Sequence, residues 1–290
     1  VFALQILTGS RSLNLRQAAG FAILMTAGCI VSVLIAQIFI QTPLVLLLVV
    51  ALLIFFAFLL LARGQATAVA SILLITASVV PLVAISSLEI AVGLVESLIA
   101  GSILAALLVL VAYAFFPSSG DTSEVVTRPA EASPAAAALA NSGTLVSLVI
   151  LFMLSGSPVT PIVIMTAITI LQQPVSAGYG TAYAFVMGNV AGGVAATAAY
   201  LLVSLFPVPA VLLLLMLLFG LIFGGRIAQG AASAPVYIVA LTTFLIVLGL
   251  GLTPVADSGE LFIERVFNVL VAAAYTIGVA SVLRALFRAA

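Results

Sequence analysis

Long apolar segments fill almost the whole chain, and very few charges interrupt them. Of its 290 residues 65% are hydrophobic and only 6% are charged, eight basic and eight acidic. Soluble domains carry about 25% charged residues, and polar surface this scarce cannot cover so apolar a fold in water. A helix that crosses a bilayer needs about 20 mainly apolar residues. The sequence therefore predicts an all-α, polytopic transmembrane helical bundle in a lipid bilayer.

Ten apolar runs are candidate spans, four of them before a polar interruption and six after it. The predicted spans are 17–37, 43–62, 66–86, 91–115, 142–155, 159–173, 178–205, 208–225, 233–252 and 262–287. Small, polar and proline residues predict a solvent-exposed cytoplasmic linker at 117–141. Residues 1–8 resemble the end of a further span that begins upstream.

Two similar segments indicate an internal repeat. Pro43 to Arg63 resembles Pro207 to Arg226, and each half also has a Ser-x-Glu triplet before its last span. We therefore expect two parallel six-span repeats, an N-terminally incomplete one at 1–116 and a second at 142–290. Cytoplasmic loops are enriched in Arg and Lys. A cytoplasmic C-terminus places all the arginines except Arg265 on the cytoplasmic side.

Several classes of chemistry lack the residues that they need. The chain has no His and one Cys, and all its basic residues are Arg. The usual ligand sets for zinc, haem and iron–sulfur clusters are therefore missing, as is a Ser-His-Asp triad. No basic patch suits a nucleic acid. We expect no enzyme activity, no cofactor and no metal.

Glu96 is the first candidate for function, because an ionisable side chain within a span is costly and usually functional. It lies seven residues after Glu89, about 10 Å deeper along a helix. It is either a proton-carrying carboxylate or a solvated residue that caps the helix near the lipid headgroups.

The segment 142–173 is the second candidate. Its two short apolar runs are separated by a Ser, Gly and Pro-rich break, and such interrupted segments often form transporter binding sites. The alternative is a tight turn between two short helices. Its polar candidates are Ser155, Ser157, Thr160, Thr166, Thr169 and Gln173.

A third candidate group lies in the span 178–205. Gly188 and Gly192 form a GxxxG motif next to Gly193, which predicts close helix packing. Asn189 either bridges helices or faces a ligand, and Tyr183 is a candidate contact or an interfacial anchor.

Two arginines, Arg63 and Arg226, occupy matching positions in the repeats. They either attract an anionic substrate from the cytoplasm or only anchor the topology.

Four short motifs resemble a known membrane family. They are ARGQ at 62–65, LVLVAYAFFP at 108–117, MGNVAGGVAA at 187–196 and FPVP at 206–209. They are similar to motifs of the fusaric-acid-resistance and aromatic-acid-exporter group of bacterial inner-membrane proteins, and most similar to a branch of unknown function.

The resemblance implies a multi-pass inner-membrane exporter of aromatic carboxylic acids or toxic compounds. It also implies a periplasmic adaptor of the membrane-fusion type as a partner, while the sequence leaves a homo-oligomer open. We expect a proton-driven exporter of small amphipathic anions. The alternative is a non-transporting membrane subunit that recruits the adaptor or assembles a complex.

Overall fold

The structure, a computed structural model, is helical throughout the part of the chain that it describes. That part comprises residues 15–64, 67–115, 133–155, 161–172, 178–229, 233–251 and 258–289. Its helices are α1 (Leu15–Phe39), α2 (Pro43–Ala62), α3 (Thr67–Ser86), α4 (Leu88–Phe115), α5 (Pro134–Ser155), α6 (Pro161–Leu171), α7 (Gly178–Leu205), α8 (Pro209–Ala228), α9 (Ala234–Gly251) and α10 (Ser258–Ala289).

Proline residues mark where several of these helices begin. α2 and α8 both have a proline in the first turn, at Pro43 and Pro209. Proline suits this position because its ring fixes a helical φ and its missing N–H has no partner within the helix there. Arg63 caps the C-terminal end of α2, and the next residue, Gly64, has a positive φ of 69°, which favours glycine.

Each of the ten predicted spans coincides with a helix, which confirms the all-α polytopic bundle. Six of the described helices are long and apolar enough to cross a membrane. The largest difference is in α5, which begins at Pro134 rather than at 142. The sequence from 134 to 141 is rich in alanine, the best helix former, although it is not strongly apolar. α5 therefore has 22 residues, and among the described helices only α6, with 11, is short.

The described helices fall into two compact units. One unit comprises residues 2–172 and 278–290, and the other comprises residues 173–277. The first therefore contains α1 to α6 and the end of α10, and the second contains α7 to α9 and the earlier part of α10. These units are defined by contacts between helices, whereas the predicted repeats are defined by sequence similarity. The repeat boundaries therefore stay a prediction.

In the first unit α3 is the central helix. It packs against α1, α2, α4 and α6, while α5 packs mainly against α2. Every residue of α3 from Thr76 to Ala84 is buried. A core cluster joins α3 to α1 and α4, and its members are Met25, Cys29, Ile72, Val80, Val95 and Leu98.

In the second unit α7 and α9 form the most extensive helix pair, and α8 packs on α9. Aromatic side chains fill the α8–α9 contact, where the ring centroids of Phe219 and Phe244 are 4.8 Å apart. Alanines of α7, among them Ala196 and Ala199, complete this core.

The same three-helix arrangement occurs once in each unit. In α1–α3 and in α7–α9 the first helix packs mainly on the third, the second also packs on the third, and the first and second scarcely meet. A glycine of the first helix lies against a threonine of the third in both groups, Gly28 against Thr76 and Gly192 against Thr243.

Burial along the first helix of each group agrees at several positions when these two glycines are aligned, although Val31 is exposed where Ala195 is buried. The buried residues Met25, Cys29 and Ser32 of α1 correspond to the buried residues Asn189, Gly193 and Ala196 of α7. The exposed residues Ile23, Ile30 and Leu34 correspond to the exposed residues Met187, Val194 and Ala198. The two groups are therefore similar in their helix packing, and the internal repeat stays a prediction.

Candidate functional site

A polar contact joins three helices of the first unit. Asn141 of α5 is 5% exposed, although it lies on a mainly apolar helix. Its Nδ2 donates a hydrogen bond to the carbonyl oxygen of Leu171, the last residue of α6, over 3.3 Å. Nη2 of Arg284, near the end of α10, donates to Oδ1 of Asn141 over 2.8 Å. One buried amide thus binds a helix end and a guanidinium.

Each of these two hydrogen bonds has a physical reason in the groups that it joins. The last carbonyl groups of a helix have no N–H donor within that helix. The carbonyl oxygen of Leu171 therefore needs a donor from another element. A helix C-terminus carries partial negative charge, which favours a nearby cation such as Arg284. Both ends of the Asn141 amide are bonded, which fixes its orientation and avoids the cost of burying it unpaired.

The end of α10 also packs closely on α5 beside this contact. A Cβ atom at Gly143 would lie 3.2 Å from Cδ1 of Leu283. The contact therefore places the start of α5, the end of α6 and the end of α10 on one side of the first unit. The predicted topology also places these three ends on one side, and that this side is cytoplasmic stays a prediction.

A second polar pair lies in the other unit, between α7 and α9. Oγ1 of Thr243 donates a hydrogen bond to Oδ1 of Asn189 over 2.9 Å, and both residues are almost completely buried. Asn189 therefore bridges two helices.

The two glycines of the GxxxG motif lie next to this bond and allow the close approach. A Cβ atom at Gly188 would lie 2.6 Å from Cβ of Val239. A Cβ atom at Gly192 would overlap the carbonyl oxygen of Ala240. Gly193 is also buried. Any side chain at Gly188 or Gly192 would push α7 away from α9.

Other predicted residues lie on the outside of their units. Glu96 is exposed on α4, and Tyr183 is 63% exposed on α7. Arg63 and Arg226 are exposed at the C-terminal ends of α2 and α8, the equivalent helices of the two groups. A cation is favourable at that end of a helix, so this position alone accounts for both arginines.

The candidates of segment 142–173 are only partly described. Ser155 is the last residue of α5. Thr166 is buried on α6, and Thr169 is half-buried and donates to the carbonyl oxygen of Met165 over 2.8 Å. Ser157, Thr160 and Gln173 lie outside the described residues.

Sequence reasoning missed the three polar partners. Asn141 fell in the predicted linker, Arg284 was used only for topology, and Thr243 was not singled out. The alanine-rich stretch after Pro134 could have placed Asn141 inside a helix, because its helix propensity is high. The long-range pairing of Asn141 with Arg284 has no signal in one sequence.

Comparison with known proteins adds one finding. Residues 1–112 match the model of a family described as "Protein of unknown function (DUF2955)". The chain is similar to that family over α1 to α3 and most of α4. No curated protein and no solved structure shows a significant match.

Proposed function

We propose that this multi-pass membrane protein exports small amphipathic organic anions, with aromatic carboxylates as the substrate class. The observation that carries the proposal is the Arg284–Asn141 contact. A guanidinium is half-buried in a bundle of apolar helices and is held by a buried amide. Ionisable residues within membrane helices are expensive and mark substrate pathways.

The chemistry of this contact suits a carboxylate. A guanidinium has five N–H donors in a planar fork whose geometry matches a carboxylate. Asn141 orients the guanidinium, and apolar helices nearby suit an aromatic ring. The predicted topology puts the contact at the cytoplasmic end of the helices, where a substrate for export enters. The resemblance to bacterial inner-membrane aromatic-acid exporters supports the same substrate class and location.

Proton coupling through Glu96 is the second element of the proposal. Glu96 lies eight residues into α4. A charged side chain is costly in an apolar environment, so an acidic residue within a membrane helix is a candidate for proton coupling. Glu89, in the first turn of the same helix, is a matched carboxylate for comparison.

Transport assays in proteoliposomes test both elements. Vesicles that contain the purified protein are given labelled benzoate under an imposed proton gradient. We expect gradient-dependent flux, and Arg284→Gln should raise the KM for benzoate about 10- to 100-fold, since a hydrogen bond to a charged group contributes about 1.5–3 kcal/mol. Arg288→Gln removes the same charge one turn later and should leave the KM within about twofold.

The coupling assay uses the two carboxylates of α4. Glu96→Gln should abolish the dependence of flux on the proton gradient, whereas Glu89→Gln should keep it. Unchanged coupling in Glu96→Gln would contradict the proton role. Absence of any flux for benzoate and larger aromatic acids would contradict the exporter.

One observation favours the alternative, a non-transporting subunit that recruits a periplasmic adaptor. The fully buried polar side chains of the described residues are all neutral, being Ser, Thr and Asn. A subunit of this kind should co-purify with a stoichiometric partner and should gain no thermal stability from aromatic acids. A rise in melting temperature with benzoate favours the exporter instead.

A further inference from the structure

The central helix of the first unit, α3, has a proline in its interior. Among the described helices only α3 has one, and it is Pro81. A proline inside a helix has no N–H to donate to the carbonyl four residues earlier, and its ring pushes against that carbonyl. The carbonyl oxygen of Ala77 therefore lacks its usual helix donor, although every residue from Thr76 to Ala84 is buried.

Two hydroxyl groups just before Pro81 also bond to the backbone of α3. Oγ1 of Thr76 donates to the carbonyl oxygen of Ile72 over 3.0 Å, and Oγ of Ser78 donates to the carbonyl oxygen of Leu74. Bonds of this kind slightly destabilise a helix and often bend it. The proline and both hydroxyl groups therefore weaken the same part of α3.

Helix packing alone does not require this proline. α9 is the third helix of the α7–α9 group, as α3 is of the α1–α3 group, and it packs on its neighbours without a proline in its interior. When Thr243 is aligned with Thr76, Leu248 takes the place of Pro81 and is completely buried. An interior proline weakens a helix, so its presence in α3 indicates a role other than packing.

A small groove lies beside the part of α3 that follows Pro81. It has room for about one water molecule. The first turns of α2, the end of α3 and the last turns of α5 form it, with Val50, Leu82 and Val149 in its walls. Protein interiors are close-packed, so a helix segment can shift only where such space exists.

This groove lies away from the polar contact of the first unit. Val149 follows Asn141 by eight residues, which is about 12 Å along α5. The weakened part of α3 and the groove are therefore nearer the other end of α5 than the Asn141–Arg284 contact is.

We propose that α3 has a hinge at Pro81 and that residues 82–86 move into and out of this groove. The moving segment is a gate toward the end of the first unit opposite to the Asn141–Arg284 contact. A transporter opens its two ends alternately, and Arg284 lies at the end where we propose that the substrate enters. The gate deepens the proposed transport function and rests on it, whereas the hinge is tested without substrate.

Single cysteines on the two sides of Pro81 test the hinge. Leu82→Cys lies after the proline and Leu74→Cys lies before it, and the two leucines are 3% and 0% exposed. Cys29 is buried, so the unsubstituted chain gives the background. Proteoliposomes are treated with dithiodipyridine, a small membrane-permeant thiol reagent. We expect the thiol at 82 to react at least about fivefold faster than the thiol at 74, which is the factor that one net hydrogen bond gives in a local opening equilibrium.

Pro81→Ala restores the N–H donor and should lower the rate at 82 to the rate at 74. The rate at 74 should stay unchanged, which shows that the fold is intact. Pro81→Leu, with the residue that α9 has at this place, should give the same two results. Equal rates at 82 and 74 in the chain that keeps Pro81 would overturn the hinge, as would a rate at 82 that neither substitution lowers.

The benzoate flux assay tests the gate. Pro81→Ala should lower kcat at least about fivefold and leave the KM within about twofold, because a gate limits turnover and Pro81 lies away from Arg284. An unchanged kcat would overturn the gate even where the cysteine rates confirm the hinge. Absence of flux in the chain that keeps Pro81 would instead contradict the transport function, and the cysteine rates would still decide the hinge.

Discussion

Replacement of Gly192 by alanine should loosen the α7–α9 pair. The new Cβ atom would overlap the backbone carbonyl oxygen of Ala240 and would lie 2.9 Å from Cβ of Thr243. Backbone cannot rotate out of the way, and carbon atoms prefer a separation of about 3.5–4.0 Å. The two helices must therefore separate by at least about half an ångström.

The separation also weakens the neighbouring polar bond. The Thr243–Asn189 hydrogen bond is 2.9 Å long, so the same shift brings it close to the limit of a real bond. Overpacking costs about 1–3 kcal/mol and a lost hydrogen bond about 1 kcal/mol. Alanine regains about 1 kcal/mol in helix propensity. We expect a net loss of about 1–3 kcal/mol in the free energy of unfolding.

Denaturant unfolding in detergent micelles, followed by circular dichroism, measures this loss. Gly180→Ala is the matched control, since it lies on the same helix and its Cβ would meet nothing within 4 Å. The control has the same gain in helix propensity without the overlap, so it should leave the free energy of unfolding unchanged or raise it by up to about 1 kcal/mol. If Gly192→Ala unfolds at the same denaturant concentration as the control, the close α7–α9 approach is wrong.

Three further predictions follow from the polar contacts and the predicted topology. Asn189→Ala and Thr243→Val should each lower the free energy of unfolding by about 1–2 kcal/mol. The double variant should lose less than the sum of the two, because both changes remove the same hydrogen bond. Additive losses in the same unfolding assay would contradict this prediction. Asn141→Leu leaves the Leu171 carbonyl oxygen without its donor and should lower the free energy of unfolding by about 1–3 kcal/mol. The control Ser142→Ala removes a hydrogen bond within its own helix and should change that free energy by less than about 0.5 kcal/mol. Cysteines introduced at Arg63 and Arg226 should react with an impermeant maleimide from the same side of oriented vesicles, and labelling from opposite sides would exclude parallel repeats.

Most helix bounds could be predicted from the sequence, because each membrane span needs an apolar stretch of a certain length. Pro43, for example, follows the polar residues Gln41 and Thr42 and fixes the first turn of α2. The start of α5 at Pro134 was missed because residues 134–141 have a high helix propensity but only a modest hydropathy. Its first residues form a helix through alanine, although they would not cross a membrane on their own.

The polar contacts were only half predictable. A GxxxG motif indicates close packing, and a buried amide needs a partner, so Gly188, Gly192 and Asn189 stood out from sequence. Their partners on α9 did not, because residues more than 40 positions apart meet only through the tertiary arrangement. Arg284 and Asn141 are farther apart still, and one of them lay in a segment that composition assigns to a linker.

The α1–α3 and α7–α9 groups have similar helix packing but differ in the polarity of the contact between their first and third helices. Met25 occupies in α1 the place that Asn189 occupies in α7, and both are almost completely buried against the third helix. Thr76 bonds to the carbonyl oxygen of Ile72 in its own helix, whereas Thr243 bonds to Asn189 across the helix contact. In the α1–α3 group Gly28 lies against Thr76, and Met25 and Cys29 pack in a core cluster with Ile72 and Val80. The Asn189–Thr243 hydrogen bond adds a polar link between the first and third helices of the α7–α9 group, which the apolar packing of Met25 does not provide in α1.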